Sequence, residues 1–547
     1  MVKSFLEVII LALTVIVLLV LSSLAGASFQ ETGFDNWLLQ QKAWVKTETS
    51  LSWPKVGFAE AKLGEYNWSD YTLSIIINPE EYGENGQVRL YFRQSSPFYT
   101  YSLNITPDFI SISRFGGHHE NSKKLVTADI GIKAGVEAKI GLVAKGNELS
   151  VFLNDELILQ TEDRRYPCGS ISLWAENSKF TARDFSITGT EDKEYVVSGG
   201  YYPKGDPRSG GINDLMLIYN NYGKSWTLEN ALNYVTYRVP DENNSLVIKD
   251  WFFDSFLFLS LVGPNKHAFD SPARATPATM KEWQWYIDTI FIKDKQIAAF
   301  DKAYEVANQT LPTKRRGKIY IMIPNPMVEV KNFGDVDGTG SLNFSLKDPA
   351  LAVEQRFKAV KWYVDQVLER YTAAEFKNLD LIGFYWVEET IHFNNPGETG
   401  LVKQVSDYLH AKNLKLSWIP FYNAEGNREW DKLGFDLCIY QPNHVFDNYS
   451  TNSRFIDVCK TAREIEMGIE IEVDKRILKN DTQRDKFINY LRAGVTLGYM
   501  KEAVHGYYQD VNFLEQCALS DDPKIRELYD LVYLFVKEKF DEPLGTK

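Results

Sequence analysis

The sequence predicts two domains: an N-terminal antiparallel β-sandwich of the jelly-roll type, and a (β/α)8 barrel after it. The chain has 547 residues, which suits one large domain with a smaller companion. Short alternating strand patterns fill residues 30–190, whereas strand-like and helix-like patterns alternate over residues 212–541. The segment between them, 191–211, is rich in Gly, Pro and charge and is predicted to be a linker.

The chain begins with a pattern typical of export signals. Lys3 precedes an almost wholly apolar stretch over residues 8–21, and Ala25-Gly26-Ala27 is a small-residue cleavage pattern. Residues 1–27 are therefore predicted to be a signal peptide. The alternative is an uncleaved N-terminal anchor, because residues 8–27 could nearly span a bilayer. With either alternative we expect a secreted or cell-surface protein.

The overall charge excludes some classes of partner. Lys and Arg number 60 and Asp and Glu number 73, so the net charge is −13. Nonspecific nucleic-acid binding and docking on anionic lipid both need a basic surface. We therefore expect no nucleic-acid partner and no membrane contact beyond the possible anchor. The four cysteines form no C-x-x-C motif and the seven histidines are scattered, so no metal site and no cofactor are predicted.

Residues 30–190 have the rhythm of an antiparallel sandwich. Turn pairs such as Asn85-Gly86 and Asn154-Asp155 separate short alternating runs, and no long helical pattern interrupts them. The stretches GNELSVFLNDELILQT and GSISLWAENSKFTARDFSI resemble the closing half of a concanavalin/laminin-G-like jelly roll. The resemblance implies a domain that either binds glycan or supports a catalytic partner.

From residue 212 onward, strand and helix patterns alternate. The predicted strands are 215–220, 251–259, 318–324, 381–387, 414–421, 437–441, 468–473 and 495–501. The predicted helices are 280–311, 349–371, 401–411, 454–465, 485–493 and 523–539. Asp348-Pro349 and Asp522-Pro523 are typical helix starts. Eight such units favour a barrel, and no glycine-rich phosphate loop follows the first strand to favour an open doubly wound sheet.

In a barrel of this kind, the active site lies at the carboxyl ends of the strands. The predicted strands and the loops after them gather carboxylates, amides and aromatic rings, the composition of a sugar-binding cleft. The residues expected to hold a sugar there are Tyr219, Asp254, Asn325, Tyr385, Glu388, Trp418, Tyr422, Gln441, Asn443 and Glu470.

The seventh predicted strand, GIEIEVD, gives the sharpest signal. Side chains alternate between the two faces of a strand, so Glu470, Glu472 and Asp474 share the inward face. Inward carboxylates are costly unless they are paired or used. The pattern therefore indicates a functional site, and the alternative is a buried charge network with Lys501 or an arginine.

The fourth predicted strand supplies a partner carboxylate. Parity places Tyr385 and Glu389 inward, so Glu389 is favoured over Glu388 as the carboxylate at the mouth. Two facing carboxylates are the minimal equipment for glycoside hydrolysis. The arrangement is similar to the clan of retaining glycosidases with the acid/base after strand four and the nucleophile after strand seven. That resemblance implies Glu389 as acid/base and Glu472 as nucleophile, although the clan usually has an asparagine where this chain has Glu388.

The barrel half also resembles a family of exported bacterial and archaeal proteins known as a domain of unknown function. The matching pieces are LMLIYNNYG, WFFDSFLFLSL, KIYIMIPNP, FGDVDGTGSLNF, GFYWVEE, LSWIPFYNAEG, FDLCIYQPN and MGIEIEVD. The resemblance implies a barrel that acts on polysaccharide.

Together these patterns predict a secreted glycoside hydrolase that cleaves a polysaccharide or glycan by a two-carboxylate mechanism. The alternative is a noncatalytic extracellular glycan-binding or surface-layer protein, in which the barrel carboxylates would form a buried network. A weaker signal is the segment from Asp335 to Asp337, which resembles a fragment of a calcium loop but lacks the EF-hand spacing. The other interpretation of that segment is a tight Asx turn.

Overall fold

The computed structural model describes residues 28–65, 67–96, 99–116, 122–192, 199–220, 224–447 and 450–545. The predicted signal peptide lies outside the described residues. The chain divides into two compact units, Met1–Val197 with Tyr449–Ser453, and Ser198–Asn448 with Arg454–Lys547.

The first unit is built from antiparallel strands. They are β1 (Ser28–Thr32), β2 (Leu38–Leu39), β3 (Val45–Lys46), β4 (Ser50–Leu63), β5 (Trp68–Ser96), β6 (Tyr99–Ile105), β7 (Ile110–Gly116), β8 (Lys123–Ala128), β9 (Ala138–Lys145), β10 (Glu148–Leu153), β11 (Glu156–Glu162) and β12 (Ser170–Glu191). The order along the main sheet is β11-β10-β9-β5-β12-β4-β2, and β6, β7 and β8 continue from β5. The predicted antiparallel organisation is confirmed. Alternation is clear in β9, where every second residue is buried.

The second unit contains a closed barrel of eight parallel strands, so the predicted barrel is confirmed. Its strands are β13 (Asp214–Tyr219), β16 (Ser255–Leu259), β17 (Gly317–Ile323), β18 (Leu379–Trp386), β19 (Lys415–Trp418), β20 (Leu437–Tyr440), β21 (Gly468–Glu472) and β22 (His505–Tyr508). Every residue of β13 is buried, as expected for a parallel strand covered on both faces. An antiparallel hairpin, β14 (Thr236–Pro240) and β15 (Leu246–Trp251), lies between the first two barrel strands in sequence.

Helices follow the barrel strands. They are α1 (Leu228–Val235), α2 (Met280–Ile290), α3 (Ile297–Thr310), α4 (Pro349–Ala374), α5 (Glu398–His410), α6 (Ser453–Glu464), α7 (Asp481–Thr496), α8 (Tyr499–Glu502), α9 (Phe513–Ala518) and α10 (Pro523–Val536). The side chains of Asp348 and Asp522 cap α4 and α10, each before a proline in the first turn. Within the described ranges, no helix combines the length and the apolar character needed to cross a bilayer.

The eighth strand lies later than predicted. Residues 495–501 contain an alternating apolar pattern, yet they form the end of α7 and most of α8. Gly498, in the left-handed region with φ 85°, separates these two helices. The strand that closes the barrel is β22, which pairs with β21 on one side and β13 on the other.

The predicted helix 280–311 is two helices. α2 ends at Ile290 and α3 begins at Ile297, and between them Asp294 and Gln296 have positive φ angles of 60° and 52°. A helix cannot continue through residues in that conformation. The apolar periodicity on both sides of the break made the two helices look like one.

A buried ion pair joins two of the outer helices. Arg356 of α4 donates from Nη2 to Glu398 Oε2 of α5 at 2.8 Å, and both side chains are 1% exposed. Arg356 Nε also donates to the carbonyl oxygen of Pro326 at 2.7 Å. Pro326 follows Asn325 just after β17, so the pair holds one of the loops at the carboxyl ends of the strands.

Candidate active site

The carboxyl ends of the barrel strands surround a solvent-open cavity, here called the central cavity. It encloses about 650 Å³ of space outside the protein atoms, its mouth included. Its lining residues are Leu217, Tyr219, Leu259, Leu261, Arg274, Tyr385, Glu389, Ile419, Gln441, Asn443, Phe446, Glu470, Glu472 and Tyr508. The position is the one expected for the active site of a barrel of this kind.

Strand β21 contributes Glu470 and Glu472 to the central cavity. Both carboxylates lie on the same face of the strand because they are two residues apart. Asp474 does not join them: it follows the end of the strand, caps the short helix Lys475–Leu478, and forms an ion pair with Arg476.

Glu472 is fully buried and held by two hydrogen-bond donors. Asn443 Nδ2 donates to Glu472 Oε1 at 3.1 Å, and the hydroxyl of Tyr490 on α7 donates to Oε2. Burial raises the pKa of Glu472, and the charge of Glu389 raises it further. The bonds from Tyr490 and Asn443 lower the pKa because they favour the ionised form.

Glu470 lies beside Glu472 and is only 3% exposed. Among the described residues, no group forms a hydrogen bond or an ion pair with its carboxyl group. Its pKa is raised well above the usual range, first by burial and then by the charges of Glu472 and Glu389. Glu470 therefore carries its proton unless something in the cavity pairs with it.

Glu389 lies after β18, at the mouth of the central cavity. Its side chain is exposed to solvent, although protein surrounds it on the other sides. That surrounding protein raises the pKa of Glu389 to about 7, and a hydrogen bond with Gln441 acts in the opposite direction. Glu389 is therefore a carboxyl group that both holds a proton near neutral pH and remains accessible from the cavity.

Glu388 points into an adjoining side cavity and is 6% exposed. Asn325 Nδ2 donates to Glu388 Oε2 at 2.8 Å, and His392 Nε2 lies 3.7 Å from Oε1. Burial raises the pKa of Glu388, and the nearby Glu388 carboxylate raises the pKa of His392. The two neighbouring glutamates thus occupy different environments, and of these two only Glu389 lines both cavities.

The loop after β16 contributes an ion pair, Asp270 with Arg274, that was not predicted from the sequence. Arg274 Nε donates to Asp270 Oδ2 at 2.7 Å and to Oδ1 at 2.9 Å. Arg274 lines both cavities and is the only Lys or Arg among the described lining residues of either. The carbonyl oxygen of Asp270 accepts a hydrogen bond from Asn325 at 2.8 Å, which ties this loop to the end of β17.

Three tyrosines face the central cavity from different strands. Tyr219 ends β13, Tyr385 lies near the end of β18, and Tyr508 ends β22. The rings of Tyr219 and Tyr508 meet edge to face with centroids 5.7 Å apart. Within the described part of the chain, none of the three hydroxyl groups has a hydrogen-bond partner, so all three are available to a ligand.

Asp254 was predicted at the mouth, and the structure places it at the opposite end of the barrel. It precedes β16 and accepts hydrogen bonds from the backbone of Asn213, which precedes β13, and of Asp214, the first residue of β13. Lys318, at the start of β17, lies 3.4 Å away. The prediction was wrong because the second strand begins only at Ser255. Asp254 therefore holds the amino ends of the strands together.

Trp418 and Tyr422 were predicted to contact a sugar, and neither lines the cavity. Trp418 is fully buried, stacks on Phe435 at 5.0 Å, and donates from Nε1 to the carbonyl oxygen of Glu388 at 2.8 Å. Tyr422 is 6% exposed and donates its hydroxyl to Asp457. Both side chains point away from the cavity, so they support the loops around it.

Gln441 and Asn443 follow β20 and line the central cavity, as does Ile419 after β19. Asn443 Nδ2 donates to Gln441 Oε1 at 2.9 Å, and Asn443 Oδ1 accepts from the backbone of Tyr422 at 2.7 Å. Asn325 does not reach the central cavity and acts through Glu388. Among the lining residues that the sequence did not predict are Asp270, Arg274, Phe446 and Tyr508, and Tyr490 is a positioning residue that it did not predict.

The segment from Asp335 to Thr339 folds as consecutive Asx turns. Asp335 Oδ1 accepts from the backbone of Gly338 at 2.7 Å, and Asp337 Oδ1 accepts from the backbone of Thr339 at 3.1 Å. In the described ranges, no three metal-ligating side chains come together to hold an ion.

The fold and the cavity define a (β/α)8-barrel protein with a carboxylate-rich site at the carboxyl ends of its strands. Residues 214–534 match the family described as a domain of unknown function, DUF4855. The match spans the barrel and more than half of the chain, so the chain belongs to this family. No curated protein matches the sequence.

Several solved structures are similar to part of the chain. The carbohydrate-binding module CBM66 from Bacillus subtilis is 17% identical, with a TM-score of 0.25, and the match covers 29% of this chain and 96% of that one. A protein of unknown function with a galectin-like fold from Bacillus subtilis is 12% identical, with a TM-score of 0.23 and coverage of 30% and 90%. The galectin LEC-6 from Caenorhabditis elegans is 11% identical, with a TM-score of 0.19 and coverage of 28% and 96%.

Proposed function

We propose that this chain is a glycoside hydrolase that cleaves a polysaccharide or glycan with Glu389 and Glu472. The observation that carries the proposal is that carboxylates from two strand ends, β18 and β21, line one solvent-open cavity. The two groups interact, since the charge of Glu389 raises the pKa of Glu472. A pair of carboxyl groups on the two sides of a bound sugar is what glycosidic cleavage requires.

The environments of the two groups suggest different roles. Glu389 is accessible and has a pKa of about 7, so it can carry the proton that the leaving oxygen needs. Glu472 receives hydrogen bonds from Tyr490 and Asn443 that stabilise its ionised form. When Glu389 carries its proton, its charge no longer raises the pKa of Glu472. The pKa of Glu472 is raised at least as much as that of Glu389, so accessibility decides between them: Glu389, which is open to solvent, is assigned as the general acid, and the buried Glu472 as the carboxylate that acts at the anomeric carbon.

The proposed reaction proceeds in two steps. In the first, Glu389 donates its proton to the glycosidic oxygen as the bond from that oxygen to the anomeric carbon breaks, and a Glu472 oxygen forms a bond to the same carbon. In the second, Glu389 takes a proton from water, and the water oxygen displaces Glu472. This sequence retains the configuration at the anomeric carbon. We propose retention because the acid and the nucleophile follow strands four and seven, as in the retaining clan.

Other lining residues would bind and orient the sugar. The hydroxyl groups of Tyr219, Tyr385 and Tyr508 and the amides of Gln441 and Asn443 provide donors and acceptors for sugar hydroxyls. The tyrosine rings also provide apolar faces for the pyranose ring. Asp270 and Arg274 lie on the side-cavity edge of the site, where a neighbouring sugar unit would extend from Glu389.

The test is the release of reducing ends from a broad panel of polysaccharides by four proteins. They are the parent, Glu389→Gln, Glu472→Gln and, as a matched control, Glu369→Gln on the exposed surface of α4. We expect the parent and the control to be equally active, and each site variant to lose on the order of a hundredfold or more in kcat. Site variants as active as the parent would overturn the assignment. A parent that binds glycans but cleaves none on the panel would favour a noncatalytic glycan-binding protein.

We also propose that the protein acts outside the cytoplasm, as a secreted or cell-surface protein. The proposal is supported by the export pattern of residues 1–27. Fractionation of cells that express the full chain, with N-terminal sequencing of the mature protein, would test it. Recovery of the uncleaved chain in the cytoplasm would contradict it.

A further inference from the structure

The carboxyl group of Glu470 lines the central cavity and has no partner among the described side chains. It lies in the central cavity beside Glu472, is 3% exposed, and receives no hydrogen bond or ion pair from any residue that the structure describes. A buried carboxyl group is costly unless something pairs with it. The proposed reaction needs only Glu389 and Glu472. Glu470 is therefore free to recognise a group on the ligand.

The charges around Glu470 indicate what that group is. The two cavities are lined by five carboxyl groups, those of Asp270, Glu388, Glu389, Glu470 and Glu472. The one lining guanidinium, Arg274, is already paired with Asp270 at 2.7 Å. In the central cavity an ammonium group can take the place of the proton on Glu470, whereas an anion finds no unpaired Lys or Arg among the described lining residues. The site is thus suited to a positively charged ligand group.

The aromatic residues that line the central cavity also favour a positively charged ligand group. The rings of Tyr219, Tyr385 and Tyr508 line the cavity that contains Glu470. The face of a tyrosine ring attracts an ammonium group through its quadrupole, and more strongly where water is displaced. Carboxylates and tyrosine rings together resemble the surroundings that proteins use to bind ammonium ions.

We propose that the central cavity binds a glycan that carries a free amino group, in its protonated form, and that Glu470 pairs with this ammonium. The ligand is thus an amino sugar that is not N-acetylated. This inference deepens the proposed function and rests on it for the choice of a glycan as the ligand. Glu470 is a specificity residue: it receives hydrogen bonds from the ammonium, while Glu389 and Glu472 remain available for the reaction.

Binding of single sugars to the full chain tests the inference. The probes are glucosamine and galactosamine, their N-acetylated forms, glucose and galactose, and glucuronic acid, each titrated at pH 6.5 and followed by ligand-observed NMR. The proteins are the parent, Glu470→Gln and the exposed control Glu369→Gln. We expect the parent and the control to bind the two amino sugars roughly tenfold more tightly than the neutral sugars. In Glu470→Gln we expect this preference to disappear while the neutral sugars still bind.

Other outcomes would overturn the inference. Equal affinity for amino and neutral sugars, a preference for N-acetylated sugars or for glucuronic acid, or no binding of either amino sugar would each contradict it. A preference that persists in Glu470→Gln would remove Glu470 from the recognition. Circular dichroism of each variant checks that the fold is intact.

The inference and the proposed function can fail separately. If a neutral polysaccharide is cleaved through Glu389 and Glu472 and amino sugars have no advantage, the inference is wrong and the hydrolase proposal stands. If amino sugars bind through Glu470 and no polymer on the panel is cleaved, the hydrolase proposal is wrong and the recognition stands.

Discussion

Asn443 donates a hydrogen bond from its side-chain amide to Glu472 at 3.1 Å, and so links the loop after β20 to the end of β21. The amide is itself fixed, because its other contacts are with Gln441 and the backbone of Tyr422. Tyr490 approaches the other oxygen of the same carboxylate from α7. Glu472, the proposed nucleophile, is therefore oriented by two groups outside its own strand: Asn443 in the loop after β20 and Tyr490 on α7.

Removal of the Tyr490 hydroxyl should raise the pKa of Glu472. The hydrogen bond from Tyr490 favours the ionised carboxylate, so Tyr490→Phe shifts the acidic limb of the kcat/KM profile to higher pH. We expect the activity at pH 6 to fall by roughly tenfold, the effect of one hydrogen bond to a charged group, and the activity at pH 8 to fall less. Tyr408→Phe, which removes the same hydroxyl from a tyrosine on α5, is the control. An unshifted acidic limb would show that Tyr490 does not tune Glu472.

The activity of the parent should decline as the pH rises through about 7. Glu389 has a pKa of about 7 and must be protonated to act as the acid, so the basic limb of the profile reports its ionisation. The Gln441 hydrogen bond lowers this pKa, so Gln441→Ala should move the basic limb to higher pH. Initial rates between pH 5 and pH 9 measure both. A basic limb in the range of an unperturbed glutamate would rule out Glu389 as the acid.

Glu470→Gln should stabilise the protein at high pH. The pKa of Glu470 is raised in the folded state, so the folded protein holds a proton that the unfolded chain releases above about 4.3. Stability is then lost as the pH rises from the unfolded towards the folded pKa. We expect the Tm of Glu470→Gln to exceed that of the parent by roughly 2 °C or more at pH 8, and to match it at pH 4. The same difference at both pH values would show that ionisation is not the cause.

Trp418→Phe should weaken the positioning of the Glu388–Glu389 segment. The ring can still stack on Phe435, but the donor to the Glu388 carbonyl is lost. The cost of a buried unpaired carbonyl is about 1–3 kcal/mol, with a further loss from the smaller ring. We expect a lower Tm and a lower kcat with little change in KM. Trp362→Phe on α4 is the matched control, and an equal loss of kcat in that variant would refute a specific role for Trp418.

The buried pair of Arg356 and Glu398 should behave as a unit. Arg356→Met leaves the Glu398 carboxylate without its ion-pair partner, which costs about 3–5 kcal/mol. The double variant Arg356→Met with Glu398→Gln no longer buries an unpaired charge, so it should lose less than the sum of the two single losses. Urea unfolding of the four proteins measures this coupling. Strictly additive losses would show that the two side chains contribute independently.

Periodic elements of the barrel could be predicted from the sequence. The two-residue spacing of Glu470 and Glu472 gave their common face, and parity on the fourth strand gave Glu389 rather than Glu388 as the carboxylate of the central cavity. These predictions depend only on strand alternation, which a short run of sequence is enough to determine. The predicted catalytic roles of Glu389 and Glu472 stay proposals.

Features that depend on tertiary contacts could not be predicted. Asp270 and Arg274 lie in the long segment between β16 and α2, where no periodicity marks an inward position. Trp418 ends a strand, but its direction is set by Phe435 and the Glu388 carbonyl, both distant in sequence. Tyr508 could have been found from the eighth strand, had the end of α7 not shown the same apolar alternation as a strand.

The barrel closes where its last strand, β22, pairs with its first strand, β13. Asp214 and Leu215 of β13 lie in register with His505 and Gly506 of β22, although almost three hundred positions separate them along the chain. During synthesis the barrel therefore stays open until β22 has left the ribosome. A premature stop codon after β16 and before β22 would leave an open sheet with two bare edges, and such a product would be prone to aggregate rather than to work as a smaller protein.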